Sequence, residues 1–70
     1  MTESYDPEIR ERILKVLSDE PFSHLTEIAR RAGTMRITAS KHLERLKREG
    51  AVEEYKKGML RLFVLKKGGV

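Results

Sequence analysis

The spacing of the apolar residues changes once along the chain, and this change restricts the fold more than any other feature. Up to Glu49 the apolar residues recur every three or four positions, as in helices that cover a core on one side. From Val52 onwards two short apolar segments flank "KKG", which is typical of a β-hairpin. The pattern predicts an α+β fold, mainly α, in which three helices precede a two-stranded hairpin.

The first helix is expected to begin directly after Asp6. The Asp6 side chain suits a helix cap, and Pro7 suits the first helical position. An apolar stripe follows at helical spacing, formed by Ile9, Ile13, Val16 and Leu17. The segment from Asp19 to Pro21 should end the helix. "PFSHL" is then expected to be a short extended link with room for a stub of strand, and Phe22 is expected to lie in the core.

Two further helices are predicted, and a glycine follows each of them. The second helix runs roughly from Leu25 to Ala32, and the third from about Arg36 to Glu49. Gly33 and Gly50 come directly after these segments, where a left-handed residue commonly ends a helix. The two helices are therefore joined by a tight turn.

Helical spacing gives the third helix an inner and an outer face. The inner face holds Ala39, Leu43 and Leu46, with His42 at its border. The outer face is mostly polar and basic and holds Ile37, Ser40, Lys41, Glu44 and Arg48. Thr34 is a candidate cap for this helix, and either Ser23 or His24 is a candidate cap for the second.

The predicted hairpin has a strand from Val52 to Tyr55, a turn at Lys56 to Gly58 and a strand from Leu60 to Leu65. The second half of the last strand is apolar on both faces, whereas a half-exposed strand should alternate. One face must cover the helices, so the other needs a second cover. Candidates for that cover are the strand stub, Tyr5, Tyr55 or a partner chain. A homodimer through the first helix and the last strand is therefore one hypothesis.

Charge is distributed unevenly along the chain. Residues 1–20 hold six acids and three bases, whereas residues 30–48 hold seven bases and one acid. Residues 56–70 hold five bases and no acid. A basic middle and end indicate one positive face for a polyanion such as nucleic acid, and a well-solvated charged surface is the alternative.

Several classes of function are disfavoured by what the sequence lacks. There is no cysteine and the two histidines lie far apart, so neither a disulfide nor a thiolate zinc site is expected. No apolar run is long enough to span a membrane, and a cytoplasmic protein is expected. The sequence has no phosphate-binding glycine loop and no pair of carboxylates in apolar surroundings, so an enzyme is not expected. The absence of Asn and Gln is a bias typical of hyperthermophile proteins.

The chain resembles the winged helix-turn-helix transcription regulators of the arsenic-repressor and MarR type. It shares their order of elements, which is a leading helix followed by a helix, a tight turn, a second helix and a hairpin. The matching residues keep their spacing and are Glu27-Ile28-Ala29, Gly33, Ser40, His42-Leu43, Leu46 and Gly50. The resemblance covers about residues 7–66 and leaves tails at residues 1–6 and 67–70. The cysteine motif of the metal sensors is absent, so no metal is expected and His42 is interpreted as a packed residue at the core border. Neither a cofactor nor a small-molecule effector is evident.

The resemblance implies that the third helix enters the major groove of DNA and that the hairpin is a wing on the backbone. The implied base-reading residues are Arg36, Ile37, Ser40, Lys41 and Glu44. The phosphate candidates are Arg30, Arg31, Thr34, Thr38, Arg45 and Arg48. The wing candidates are Lys56, Lys57 and Arg61. Each set also has an alternative interpretation. The cations are then ordinary solvated surface residues, and Ile37 contacts a partner chain.

The expected function is therefore sequence-specific binding of double-stranded DNA by a small transcriptional regulator. In this interpretation Ile37 packs on a thymine methyl group, while Lys41 or Arg36 pairs with guanine. The alternatives are a winged-helix adaptor that binds proteins, or a nonspecific nucleic-acid or chromatin binder. Competition with random duplex DNA separates the last of these from an operator binder.

Overall fold

The computed structural model of the chain describes residues 6–66, which form three helices and a three-stranded sheet. The elements follow in the order α1 (Pro7–Asp19), β1 (Ser23–His24), α2 (Leu25–Ala32), α3 (Arg36–Glu49), β2 (Val52–Lys57) and β3 (Leu60–Leu65). The predicted fold of three helices followed by a hairpin is confirmed, and the strand stub within "PFSHL" is β1. The two predicted tails lie outside the described residues, except for Asp6.

The helices begin and end where local chemistry favours it. The Asp6 carboxylate accepts a hydrogen bond from the Glu8 N–H at 2.9 Å, so α1 has the predicted cap. Both α2 and α3 end at the predicted glycines, with φ of +73° at Gly33 and +84° at Gly50. These left-handed residues let the chain reverse after each helix at little steric cost.

The cap of α2 is His24, because its Nδ1 accepts a hydrogen bond from the Glu27 N–H at 3.4 Å. Ser23, the other candidate, instead donates its hydroxyl to the Glu20 carbonyl at 2.5 Å and ties β1 to the end of α1. The predicted cap of α3 by Thr34 is wrong. Met35 occupies the cap position and makes no side-chain hydrogen bond, so the first N–H groups of α3 have no side-chain cap.

The sheet is antiparallel with the order β1-β3-β2, so the last strand of the chain lies at its centre. The predicted turn at Lys56 to Gly58 is wrong, because β2 continues for two residues beyond its predicted end at Tyr55. Lys57 still pairs with Leu60, and the turn is Gly58-Met59. Gly58 has a φ of +60° at the first of the two turn positions. A two-residue loop of this kind matches the twist of the paired strands better than the longer loop expected from "KKG".

The core lies between the three helices and one face of the sheet. Its largest fully buried side chains are Phe63, Ile13, Leu17, Ile28, Leu43, Leu46 and Val52. The prediction that Phe22 lies in the core is wrong, since its side chain is 54% exposed. Phe22 lies in the turn before β1 with a φ of +64°, and its ring packs against Tyr55 and not into the core.

The outer face of the sheet is covered in part by an aromatic pair. The rings of Phe22 and Tyr55 lie 5.7 Å apart at an angle of 60°. Tyr55 is opposite Leu62 in the register, so the pair extends across the central strand. Tyr55 is thus part of the second cover that the apolar last strand required, while Tyr5 lies outside the described residues. Phe22 is 54% and Tyr55 49% exposed, so this cover is itself a partly apolar surface.

Candidate nucleic-acid interface

Around its buried face, helix α3 presents three rows of side chains, which are polar except for Ile37. An outward row contains Ile37, Lys41 and Arg48, at the spacing of one face of a helix. A second row, containing Ser40, Glu44 and Lys47, lies toward the hairpin. A third row, containing Thr38, Arg45 and Glu49, lies toward α1. The predicted outer face of this helix therefore divides into an outward row and a row beside the hairpin.

The outward row is open to solvent and begins at the uncapped end of the helix. Ile37 is 67% exposed, and the neighbouring Met35 is 69% exposed. Arg36, Lys41 and Arg48 are also exposed. Within residues 6–66 no ion pair holds Arg36 or Arg48, so their charges are available to an anion. The structure brings together an aliphatic side chain and several cations on one protruding surface.

The row beside the hairpin is joined to it by ion pairs. The Glu44 carboxylate is 3.0 Å from the Arg61 guanidinium and 3.8 Å from Lys47 Nζ. Glu54 in β2 accepts hydrogen bonds from Arg61 at 2.6 Å and from Lys47 at 2.8 Å. The hydrogen bond from Arg61, followed by the one from Lys47, lowers the pKa of Glu54 to about 2 against the opposing effect of burial. Glu44 and Arg61, both predicted DNA contacts, are thus engaged within the protein.

The row beside α1 is also held by ion pairs. Glu49 lies 2.9 Å from the Arg10 guanidinium and 3.4 Å from that of Arg45. The hydrogen bond from Arg10 is the main cause that lowers the pKa of Glu49. His42 is 3% exposed, which confirms its interpretation as a packed residue, and burial lowers its pKa. Arg45 is therefore a phosphate candidate whose charge is shared with an acid of the same helix.

The phosphate candidates of α2 have partners of their own. Arg30 is 2.7 Å from the Glu27 carboxylate, and this contact raises the pKa of the guanidinium. Arg31 is 2.8 Å from Glu20, in the segment after α1. Thr34 lies in the turn, where its N–H donates to the Ala29 carbonyl at 2.9 Å. These residues flank the start of α3, and both arginines are engaged by acids of the protein.

The hairpin carries its lysines along the strand and not on the turn. Lys56 and Lys57 are exposed residues of β2, while Met59 at the turn is 96% exposed. A hollow of about 190 Å³ separates the turn from α3 and is lined by His24, Leu25, Thr26, Arg36, Met59, Leu60 and Arg61. The sequence analysis did not predict that Met59 lies exposed at the tip of the hairpin. A two-residue turn that begins at Gly58 would have placed Met59 there.

This geometry, with a protruding helix and a basic hairpin beside it, agrees with the comparison with known families. A family model described as winged helix-turn-helix DNA-binding matches residues 6–53. The chain belongs to this winged helix-turn-helix family. The hairpin is accordingly called the wing. Among curated proteins no sequence matches the chain.

Solved structures of transcription regulators share the fold. A homodimeric winged helix-turn-helix DNA-binding domain from Mycobacterium bovis, described as a possible ArsR-family transcriptional regulator, is 28% identical with a TM-score of 0.78. The match covers 86% of this chain and 55% of that one. The regulator PcaV from Streptomyces coelicolor, solved with its natural ligand, is 25% identical with a TM-score of 0.79, and 93% of this chain covers 47% of that protein. The chain thus spans about half the length of these two relatives.

A third solved structure has nearly the same size as this chain. The Zalpha domain of a Carassius auratus protein, in complex with Z-DNA, has a TM-score of 0.77 at 22% identity. The match covers 89% of this chain and 98% of that domain, so the two share the fold. In the part of the chain that the structure describes, no helix has the length and apolar character needed to cross a membrane.

Proposed function

We propose that this winged helix-turn-helix protein binds double-stranded DNA sequence-specifically and acts as a small transcriptional regulator. In the proposed complex α3 lies in the major groove and the wing lies along the backbone. The observation that carries the proposal is the outward row of α3, where an exposed isoleucine lies among exposed cations. The neighbouring Met35 is exposed as well, so Ile37 is part of an exposed apolar pair and is not a single scattered residue.

The base contacts are assigned by side-chain chemistry. Ile37 packs on the C5-methyl group of a thymine, and Arg36 or Lys41 donates to the acceptors of a guanine. Ser40, which is half-buried at the edge of the row, donates to a base or a phosphate. Glu44 was expected among these contacts, but its carboxylate is engaged by Arg61 at 3.0 Å, and a different role is proposed for it below.

The phosphate contacts are assigned to exposed cations around the helix. Arg48 extends the outward row, and Lys56 and Lys57 lie on the wing. Arg30, Arg31, Thr34, Thr38 and Arg45 are secondary candidates. Each of the three arginines among them already forms an ion pair with an acidic residue of the protein, so a phosphate has to compete with that acid. Phosphate contacts fix the position of the protein on DNA but do not read sequence.

The direct test is selection of bound sites from random duplex DNA, followed by substitution in the selected site. Lys41→Ala and Arg36→Ala should each cost about 1–3 kcal/mol and relax the preference at one position. Lys57→Ala should weaken binding evenly across sequences. Lys15→Ala on α1 is the matched control, because Lys15 is an exposed cation that pairs with Asp19 and is not assigned to the DNA contact, so its loss should change little.

The same experiment separates the two alternatives. A nonspecific binder yields no enriched site and loses the selected duplex to random competitor, whereas a protein adaptor binds no duplex even at low salt. Full retention of specific binding after all three changes at Arg36, Ile37 and Lys41 would show that α3 is not docked as proposed.

We further propose that the protein acts as a homodimer. The Mycobacterium bovis relative is described as homodimeric, and dimers of this family suit palindromic sites. The surface assigned to the contact is the outer face of the sheet around Phe22 and Tyr55, which are 54% and 49% exposed. The outer side of α1, included in the earlier hypothesis, carries the ion pairs Arg12–Glu8 and Lys15–Asp19 and is less suited.

A further inference from the structure

Four charged side chains form a closed ring between α3 and the wing. Glu44 contacts Arg61 at 3.0 Å, Arg61 contacts Glu54 at 2.6 Å, Glu54 contacts Lys47 at 2.8 Å, and Lys47 returns to Glu44 at 3.8 Å. Acids and bases alternate around the ring, so every neighbour has the opposite charge. Glu44 and Lys47 belong to α3, Glu54 to β2 and Arg61 to β3. These four residues are called the wing clamp.

The half of the wing clamp on the hairpin differs from an ordinary surface ion pair in burial and geometry, whereas the Glu44 and Lys47 side chains are 44% and 40% exposed. The Glu54 side chain is only 9% exposed, and that of Arg61 is 33% exposed. The guanidinium of Arg61 bridges two carboxylates and lies 5.4 Å from the centre of the Phe63 ring, which fixes it against the core. A network on partly buried partners holds a geometry that an isolated exposed pair does not.

The position of the wing clamp along the hairpin gives it a mechanical role. Phe63 and Val52 anchor the base of the wing in the core. Between the clamp and the turn the side chains of residues 55–60 are exposed, so the core does not hold this part of the wing. The clamp is therefore the outermost attachment between the wing and α3 within residues 6–66.

We propose that the wing clamp sets the angle between the wing and α3, so that the wing lysines and the outward row of α3 contact one duplex together. Glu44 and Arg61 then act as positioning residues, through each other, and touch neither base nor phosphate. This inference rests on the proposed DNA binding. It predicts that removing the negative charge of Glu44 weakens binding to DNA. Electrostatics alone predicts the opposite, because loss of an acid should strengthen binding to a polyanion.

The test compares Glu44→Gln with Glu53→Gln on a duplex selected by the wild-type protein. Glu53 is also an acid beside the wing, but it pairs with Tyr55 Oη at 2.8 Å and with Lys66 at 3.9 Å, outside the clamp. Glu44→Gln should weaken binding at least about threefold, whereas Glu53→Gln should leave it equal or stronger. In the Glu44→Gln background, Lys57→Gln should cost less than it costs in the wild type, because an unclamped wing no longer delivers Lys57 to the backbone.

A second measurement needs no DNA and separates failure of the clamp from failure of the proposed function. NMR relaxation of the amides of residues 56–60 in the free protein should show larger motion in Glu44→Gln than in Glu53→Gln or the wild type. Unchanged wing motion, or Glu44→Gln binding as tightly as the wild type with an additive effect of Lys57→Gln, would overturn the clamp. A wild-type protein that binds no duplex would instead refute DNA binding and leave the NMR comparison to decide on the clamp.

Discussion

At the scale of single residues, exposure separates side chains that build the fold from those that are available to a ligand. Leu43 and Leu46 are fully buried, whereas Ile37 on the same helix is 67% exposed. Leaving an aliphatic side chain of this size in water forgoes about 1.5–3 kcal/mol of burial energy. An external partner that covers it restores that energy, which is why Ile37 is assigned to the DNA contact.

The assignment of Ile37 to a thymine methyl group gives the most specific prediction at this scale. Replacing the contacted thymine of the selected site by deoxyuridine removes only the methyl group, and should cost the wild-type protein about 0.8 kcal/mol, or about fourfold in affinity. The Ile37→Ala variant should bind both duplexes about equally, because its single methyl group is too short to pack on the thymine methyl as isoleucine does. Fluorescence anisotropy with the two labelled duplexes measures both effects.

The stability of Ile37→Ala is the control for this experiment. An exposed position changes the free energy of unfolding by less than about 0.5 kcal/mol, so the thermal midpoint of the variant should match that of the wild type. A wild-type protein that fails to distinguish thymine from deoxyuridine at every position of its site would contradict the proposed role of Ile37.

At the scale of elements, the structure agrees with the sequence wherever a strong period ends in a defined residue. The bounds of α2 and α3 were predictable because their apolar stripes end at Gly33 and Gly50. The turn of the wing was not, since "KKGM" fits turns of two or three residues, and only pairing with β3 decides between them. Phe22 was misassigned because apolar character does not reveal on which side of the sheet a residue lies.

The candidate site was predictable to a similar degree. Helical spacing along a single element identified the outward row of α3, and the exposure of Ile37, Lys41 and Arg48 agrees with it. The partners of Glu44 and Arg61 were not predictable, because these residues are 17 positions apart and meet only when the wing folds against α3. Contacts between elements depend on packing angles that composition and spacing do not contain.

The wing clamp predicts an acid-dependent loss of stability at the scale of α3 and the wing. The pKa of Glu54 is about 2 in the folded protein against 4.5 ordinarily, so the unfolded chain binds more protons between these values. The stabilisation is fully present above about pH 5 and is lost as the pH falls toward 2. Urea unfolding of the wild type and Glu54→Gln should therefore differ by on the order of 2 kcal/mol at pH 6 and converge at low pH.

The sign of this effect separates a paired carboxylate from one that is only packed. Burial alone would raise the pKa of Glu54 and would make the wild type gain stability relative to Glu54→Gln as the pH falls. A free-energy difference between the two proteins that stays constant from pH 6 to pH 2, or grows in acid, would contradict the ion pairs to Arg61 and Lys47.

At the scale of the whole molecule, the distribution of free charge determines how binding responds to salt. The exposed cations proposed to face DNA are Arg36, Lys41, Arg48, Lys56 and Lys57. Three of them, Arg48, Lys56 and Lys57, are assigned to phosphates, and about three phosphate contacts give a slope of about −2.7 for the logarithm of the association constant against that of the salt concentration. Titrations at several salt concentrations measure it, and Arg48→Gln should reduce the slope by about 0.9. A slope near zero would contradict the polyanion interface.

The oligomeric state is the last property that belongs to the whole molecule. A polypeptide of 8.1 kDa has a small core, and its outer sheet face exposes the Phe22–Tyr55 pair. Burying this pair against a second copy removes apolar surface from water, and a two-fold dimer suits a palindromic site. Sedimentation equilibrium should therefore give a mass of twice 8.1 kDa for the free protein.

Two substitutions at one position test whether the aromatic surface is responsible. Tyr55→Ser removes the ring and should shift the protein to the monomer, whereas Tyr55→Phe keeps the apolar surface and should remain dimeric even though it loses the hydrogen bond to Glu53 at 2.8 Å. If Tyr55→Ser remains dimeric while Tyr55→Phe is unchanged, the contact lies elsewhere, and if the wild type sediments as a monomer there is no dimer to explain. Because a monomer contacts only one half-site, the selected DNA sequences give an independent answer: a dimer should enrich inverted repeats and a monomer single sites.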